Sequence, residues 1–249
     1  MSDVTIELRQ ALRSLNLTEA AQVMEQILMD AETKQWTYRQ FLGQLLQYEM
    51  NRREEKQLAK RYRWALLPEM KTLDEFRLDE QQSLSRRQLS QLREMLWLEH
   101  TYNLIFLGPP GVGKTHLAIG LGVEALKKGY KVSFITMDSL IQLLKTEAIS
   151  RASQYKIKRI YRSDLVIIDD LMFMAMDRAE ANLFFQLVNK LYCQTSIILT
   201  SNKGPEEWAE LLGDPAITTA ILDRILHKSE IIQLHGDSYR LKHRQTIFS

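Results

Sequence analysis

Through the first hundred positions apolar residues recur at helical spacing. Leu8, Leu12 and Leu15 mark one amphipathic helix, and Ala20, Val23, Met24, Ile27 and Leu28 mark a second, with Thr18 placed to cap it. A third stretch from about Thr37 to Trp64 carries Phe41, Leu45 and Tyr48, and Pro68 ends it. Periodicity weakens from Thr72 to Asp79, which reads as a linker, and a helical pattern returns from Leu84 to Leu98. From residue 103 short β-rich runs take over, at Asn103–Leu107, Lys131–Thr136, Asp164–Ile168, Ser196–Thr200 and Glu230–Leu234, with amphipathic stretches between them. Strands alternating with helices predict an α/β fold, a parallel sheet flanked by helices on both faces. The pattern divides the chain into a small all-α N-terminal domain, 1–78, and a sheet domain, 79–249.

Glycine usage supports that division, since nine of the ten glycines follow residue 107. The 249 residues are 45% apolar and 26% charged, which excludes disorder along the whole chain. Thirty-three basic against 31 acidic side chains give a net charge of +2, so a surface for nucleic acid has to be a local patch. The single cysteine, Cys193, leaves no internal disulfide, and no Cys/His cluster has metal-ligand spacing. No apolar run has the length of a bilayer span and no leader pattern opens the chain, so we expect a soluble cytoplasmic protein without a membrane partner.

The first strand runs directly into Gly108-Pro109-Pro110-Gly111-Val112-Gly113-Lys114-Thr115, and a helical pattern follows. This is G-x-x-x-x-G-K-[ST] in the strand–loop–helix setting the motif needs. Glycines let backbone N–H groups curl towards phosphate oxygens, and the helix N-terminus adds its field. Lys114 is then placed for the β and γ phosphates of ATP, and the Thr115 hydroxyl for Mg2+. The third strand delivers Asp169 and Asp170 at its C-terminal end, where open α/β sheets bind ligands. We expect Asp169 to hold the metal shell and Asp170 to orient or deprotonate the attacking water. After the fourth strand Asn202 is the best candidate to hold the water or γ-phosphate, with Thr200 and Ser201 as helpers.

These residues, together with the flanking blocks L-R-S-L-N-L at 12–17, K-T-L-D-E-F-R-L at 71–78, A-I-L-D-R-I-L-H at 220–227 and S-Y-R-L-K at 238–242, resemble the AAA+ ATPases of the DnaC/IstB type, specifically the IstB-like helpers of insertion-sequence transposition. The resemblance implies a P-loop AAA+ core and an ATPase that oligomerises on duplex DNA, largely without regard to its sequence. It also implies recruitment or activation of a cognate transposase. Arg224 matches the arginine finger, which would reach ATP on a neighbouring subunit; without the family it is a helix arginine beside Asp223. Arg240 matches the second sensor arginine, and equally fits a surface contact to DNA or another subunit. Asp170 departs from the glutamate most AAA+ enzymes carry, and Leu191 replaces the arginine of an arginine-tyrosine pair common in the helpers. The alternatives are a DnaC-like replicative helicase loader and, from another class, a small-molecule P-loop kinase.

Between residues 145 and 163, Lys145, Arg151, Lys156, Lys158, Arg159 and Arg162 face one acid, Glu147. That local charge is a candidate DNA surface, as is the run Arg52, Arg53, Lys56 and Lys60, which could instead pack through Tyr62 and Trp64. Met172, Phe173, Met174 and Met176 read as packing or a subunit contact, His116 as helix surface, and Trp208 as a helix start packed on the core.

Overall fold

The computed structural model describes residues 3–78, 80, 83–171, 176–211 and 214–242. Contacts divide the chain into two compact units, Met1–Lys60 and Arg61–Ser249.

In the first unit α1 (Asp3–Ser14) and α2 (Thr18–Thr33) precede α3 (Tyr38–Ala65), whose C-terminal turns run on into the second unit. Ala20, Met24, Ile27 and Leu45 form its small core, with Leu12, Leu17, Val23, Leu28, Trp36 and Phe41 packed round it. Thr18 does not cap α2: the cap position is Leu17, without a side-chain bond, and the Thr18 hydroxyl donates to Glu19. The buried Glu49 of α3 supplies the missing acceptor, taking the Ala20 N–H at 2.7 Å. A carboxylate at a helix N-terminus complements both the orphan N–H and the dipole, which short-range sequence patterns do not reveal.

The second unit adds α4 (Arg86–Glu94), α5 (Leu96–Glu99), β1 (Asn103–Leu107), α6 (Lys114–Lys127), β2 (Val132–Thr136), α7 (Met137–Thr146), α8 (Arg151–Tyr161), β3 (Leu165–Asp169), α9 (Arg178–Leu191), β4 (Ser196–Ser201), α10 (Pro205–Leu211), α11 (Pro215–Leu226), β5 (Ser229–Gln233) and α12 (Tyr239–Lys242). The five strands are parallel in the order β2-β3-β4-β1-β5. Each lies within one residue of the run expected from the pattern. Ile105, Val166, Ile168, Ile197 and Leu199 share one core with α7, α8, α9 and α11, and Trp208 is buried in it as expected. On the opposite face Ile167 lies against Gly122 of α6. The helical stretch 84–98 is broken at Met95, which adopts a left-handed conformation with φ 64°.

Residues 61–78, read from sequence as the end of the front domain, pack within the second unit. Leu73 is buried against Gly120 of α6, and the Thr72 carbonyl accepts from His116 Nε2 at 2.9 Å. From Thr72 on the segment has no helical period because single side chains, not a stripe, dock on the helix. Among the described residues no helix is long and apolar enough to cross a membrane.

Candidate functional site

The glycine loop links the C-terminal end of β1 to α6. Gly111 and Gly113 hold φ of 85° and 98°, backbone that a side chain would strain. A Cβ at Gly113 would lie 2.9 Å from the Phe76 ring, and one at Gly111 would meet Ser238. The loop is therefore buttressed by two distant segments. Phe76 packs edge-on against His116, and Tyr239 N–H donates to Gly111 O at 3.0 Å. His116 is thus a half-buried packing residue, not helix surface.

Strand order decides which side chains meet here. Because β4 lies between β1 and β3, its polar C-terminal end separates the glycine loop from the carboxylates and touches both. Lys114 Nζ donates to Asn202 Oδ1 at 2.7 Å and to the carbonyls of Gly108 and Pro109 at 2.8 and 2.9 Å. Burial pushes the Lys114 ammonium below its ordinary pKa, Asp170 and Asp169 pull it back up, and Arg240 adds to the depression. That repulsion places Arg240 within electrostatic reach of the loop lysine.

Asp169 is buried at the end of β3. Its Oδ1 accepts from Thr200 Oγ1 at 2.6 Å and from Thr115 Oγ1 at 2.9 Å. Desolvation raises its carboxyl above the ordinary aspartate range, while the two hydroxyl bonds pull it down. The Thr200 oxygen also accepts the Asp170 N–H at 2.9 Å, and Leu171 N–H bonds the Thr200 carbonyl, so β4 fixes the turn that presents Asp170. Thr200, weighed from sequence only as a helper, is fully buried and is the residue that joins the two acids. Ser201 instead closes a local turn with Lys203. A buried carboxylate beside a hydroxyl is an all-oxygen donor set suited to a hard divalent cation such as Mg2+.

Arg224 is not brought to this cluster. It belongs to α11, where Nε donates to Asn189 Oδ1 at 2.9 Å, Nη1 to Ala220 O at 2.8 Å, and the guanidinium lies over Phe185 at 4.9 Å. The neighbouring Ile225 carbonyl is bonded by Asn103, the first residue of β1. The glycine loop follows the last residue of the same strand, about 16 Å away at ~3.3 Å per residue.

Of the α7–α8 basic residues, Arg151, Lys156, Lys158 and Arg162 are exposed, whereas Lys145 pairs with Glu180 at 2.9 Å. Arg159 is buried with an unpartnered Nε. In the first unit Lys56 pairs with Glu19 at 2.5 Å, Arg53 with Glu49 at 2.6 Å, and Arg52 with Glu55 at 2.5 Å, while Lys60 is exposed. Met176 is buried in the core; Met172, Phe173 and Met174 lie outside the described residues.

A parallel sheet of this strand order, with a glycine-lysine loop after β1 and paired acids after β3, defines a P-loop AAA+ core. The chain belongs to the family described as IstB-like ATP binding protein, whose profile it matches over residues 10–247. It is 41% identical over 243 residues to an insertion-sequence IS21-like ATP-binding protein of Bacteroides fragilis, covering 98% of this chain and 92% of that one. To the insertion-sequence IS21 ATP-binding protein of Pseudomonas aeruginosa it is 40% identical over 239 residues, covering 96% and 90%. Among solved structures, AMPPCP-bound DnaA from Aquifex aeolicus aligns with a TM-score of 0.56 at 26% identity, over 71% of this chain and 54% of that chain.

Proposed function

We propose that this chain is an ATP-hydrolysing helper of transposition, which assembles on duplex DNA and recruits or activates the transposase of its element. The observation that carries the reading is the convergence of Lys114, Thr115, Asp169, Thr200 and Asn202 on the C-terminal ends of β1, β3 and β4. Family membership narrows the ATPase to transposition. The loop 108–113 and Lys114 bind the triphosphate, with backbone N–H groups and the ammonium placed against its charge. Thr115 and Asp169 would hold Mg2+, which supplies charge neutralisation at the phosphates. Asp170 accepts the proton of the attacking water, and Asn202, within 2.7 Å of Lys114, orients that water or the γ-phosphate. Arg240, whose charge acts on Lys114, would serve as a second sensor of the same phosphate.

Because Arg224 lies at the opposite end of β1 from its own loop, it acts on ATP held by a second copy, so hydrolysis depends on assembly. The exposed face of α8 and Lys60 contact DNA phosphates without reading sequence. Work of this kind belongs in the cytoplasm.

The test is ATP turnover with and without duplex DNA, with gel filtration of the same samples. DNA should stimulate turnover and shift the chain to a larger species. Lys114→Ala should abolish nucleotide use, and Arg224→Ala should bind ATP but not hydrolyse it. Turnover that requires a small-molecule acceptor would point to a kinase, and capture of a replicative helicase in place of transposase would point to a loader. Either result refutes the proposal.

A further inference from the structure

The turn between α7 and α8 presents a side chain that the fold does not use. Ile149 is 85% exposed, directly before Ser150, the cap of α8. A single exposed apolar residue is ordinary on a protein surface. This one, however, sits on a fixed turn. The Thr146 carbonyl accepts from the N–H groups of Ile149 and Ser150 at 3.2 and 2.9 Å, the Thr146 and Ser153 hydroxyls meet at 2.8 Å, and Ser150 Oγ accepts the Ser153 N–H. Leu140, Ile141 and Leu144 of α7, with Ile157 and Ile160 of α8, anchor the helix pair in the main core. Ile149 is therefore an apolar point on a rigid mount.

A second apolar group follows on the helix itself. Arg151, Tyr155 and Lys158 stand at i, i+4 and i+7, with Arg162 a turn further on at the C-cap. At ~3.6 residues per turn all four share one stripe. All four are exposed, Tyr155 to 66%, and among the described residues none of these three cations is in an ion pair. No acid occurs from residue 148 to 163. Arg159 of the same helix is buried with its Nε unpartnered, which adds positive charge that no carboxylate offsets. The surface thus joins uncompensated cations to two apolar side chains. Cores of protein–protein interfaces are depleted of charge, lysine included, so a protein partner fits it poorly. Duplex DNA uses both parts: cations meet the backbone, and apolar side chains can slip between base pairs.

We propose that Ile149 and Tyr155 are wedges, which enter the minor groove and part neighbouring base pairs while Arg151, Lys158 and Arg162 hold the phosphates alongside. The proposal rests on the reading of α8 as a DNA surface and adds to it a preference among DNA sites. Phosphate contacts ignore sequence, but parting base pairs costs least where stacking is weak, at pyrimidine–purine steps and at mismatches. The chain therefore selects deformable DNA without reading the identity of its bases. Ile149 is held by an ordered turn, and Tyr155 offers a large face with only two side-chain torsions, so little conformational freedom is lost on insertion.

The experiment uses the full-length chain with ATP and Mg2+ and two duplexes of equal length, one fully paired and one with a single central mismatch. Fluorescence anisotropy across a salt series gives affinity and salt slope, and 2-aminopurine beside the mismatch reports unstacking. The parent should bind the mismatched duplex about tenfold more tightly than the paired one, with a rise in 2-aminopurine emission. Ile149→Ser/Tyr155→Ser should reduce that preference to within about twofold and abolish the rise, with the salt slope unchanged because no cation is lost. Tyr155→Phe keeps the ring and should keep the preference. Both wedge positions are exposed, so the Tm of these variants should match that of the parent.

Lys158→Ala/Arg162→Ala should weaken binding to both duplexes equally and lower the salt slope, leaving the preference intact. A parent that binds the two duplexes alike, or a serine variant that keeps the parent's preference, overturns the wedges and leaves the phosphate contacts standing. Retained preference together with loss of self-assembly or of transposase capture in the serine variant would make this face a protein interface, which also overturns the proposal. Unchanged affinity and slope in Lys158→Ala/Arg162→Ala would remove the DNA reading of α8 itself, and the wedges with it.

Discussion

Thr200 is the position where stability and chemistry can be separated most cleanly. Valine has nearly its shape, so Thr200→Val removes the hydroxyl from a fully buried site without opening a cavity. Two bonds are lost: the 2.6 Å donation to Asp169 and the 2.9 Å acceptance from the Asp170 N–H. A hydrogen bond to a charged group contributes ~1.5–3 kcal/mol, and loss of the part-buried Asp170 N–H bond costs about 1 kcal/mol more. Asp169 keeps its bond from Thr115, so a total of about 3 kcal/mol is expected, a fall in Tm of roughly 6–12 °C for a unit this size. The sign of the pH dependence follows from Asp169. Its carboxyl already titrates above the ordinary range through burial, with Thr200 the larger of the two hydroxyl bonds opposing that rise, so the variant raises it further. A raised carboxyl pKa favours the folded state only where the group is protonated, and that contribution is lost as pH rises through the folded value. The deficit of Thr200→Val should therefore be full near neutral pH and shrink on acidification through the Asp169 range. Urea unfolding across pH measures it, with Thr200→Ser as the control that keeps the hydroxyl and loses one methyl, ~0.8 kcal/mol. A deficit below about 0.5 kcal/mol, the size of an ordinary surface change, or one that does not vary with pH, would refute the account.

Asp169→Asn removes a desolvated charge while keeping an oxygen for Thr115 and Thr200; by thermal melting it should equal or exceed the parent in stability, with Mg2+-dependent turnover lost. Glu49→Ala strips the Ala20 N–H of its acceptor and Arg53 of its partner, and should cost the first unit ~2–4 kcal/mol, read by denaturation of that unit's helices. Replacing Lys158 and Arg162 together by alanine should weaken DNA binding at every sequence tested and reduce the slope of log affinity against log salt by about 2, measured by fluorescence anisotropy.

The sheet was legible because each strand is a short apolar run bounded by turns, and the glycine loop because its spacing is chemically constrained. Asp169 followed from position at a strand end. What sequence left out is long-range. Thr200 reads as an ordinary strand residue until β4 is known to lie between β1 and β3. Phe76 and Tyr239 brace the glycine loop from outside the motif, and Glu49 caps a helix that begins 31 residues earlier. Local pattern carries no information about such pairings. The basic run of α3 shows further pairings: Arg52, Arg53 and Lys56 read in sequence as a nucleic-acid surface or a packing face, and each also pairs with an acid of its own unit.

Asp170 has a φ of 55°, a conformation that aspartate tolerates better than glutamate because its short side chain can bond its own backbone. The acid at this position is thus one its backbone already favours. A longer side chain here would not simply extend reach; it would set the carboxylate's preferred length against the peptide's preferred twist. Residue choice and main-chain shape are coupled at this turn, and an engineer who alters one inherits the other.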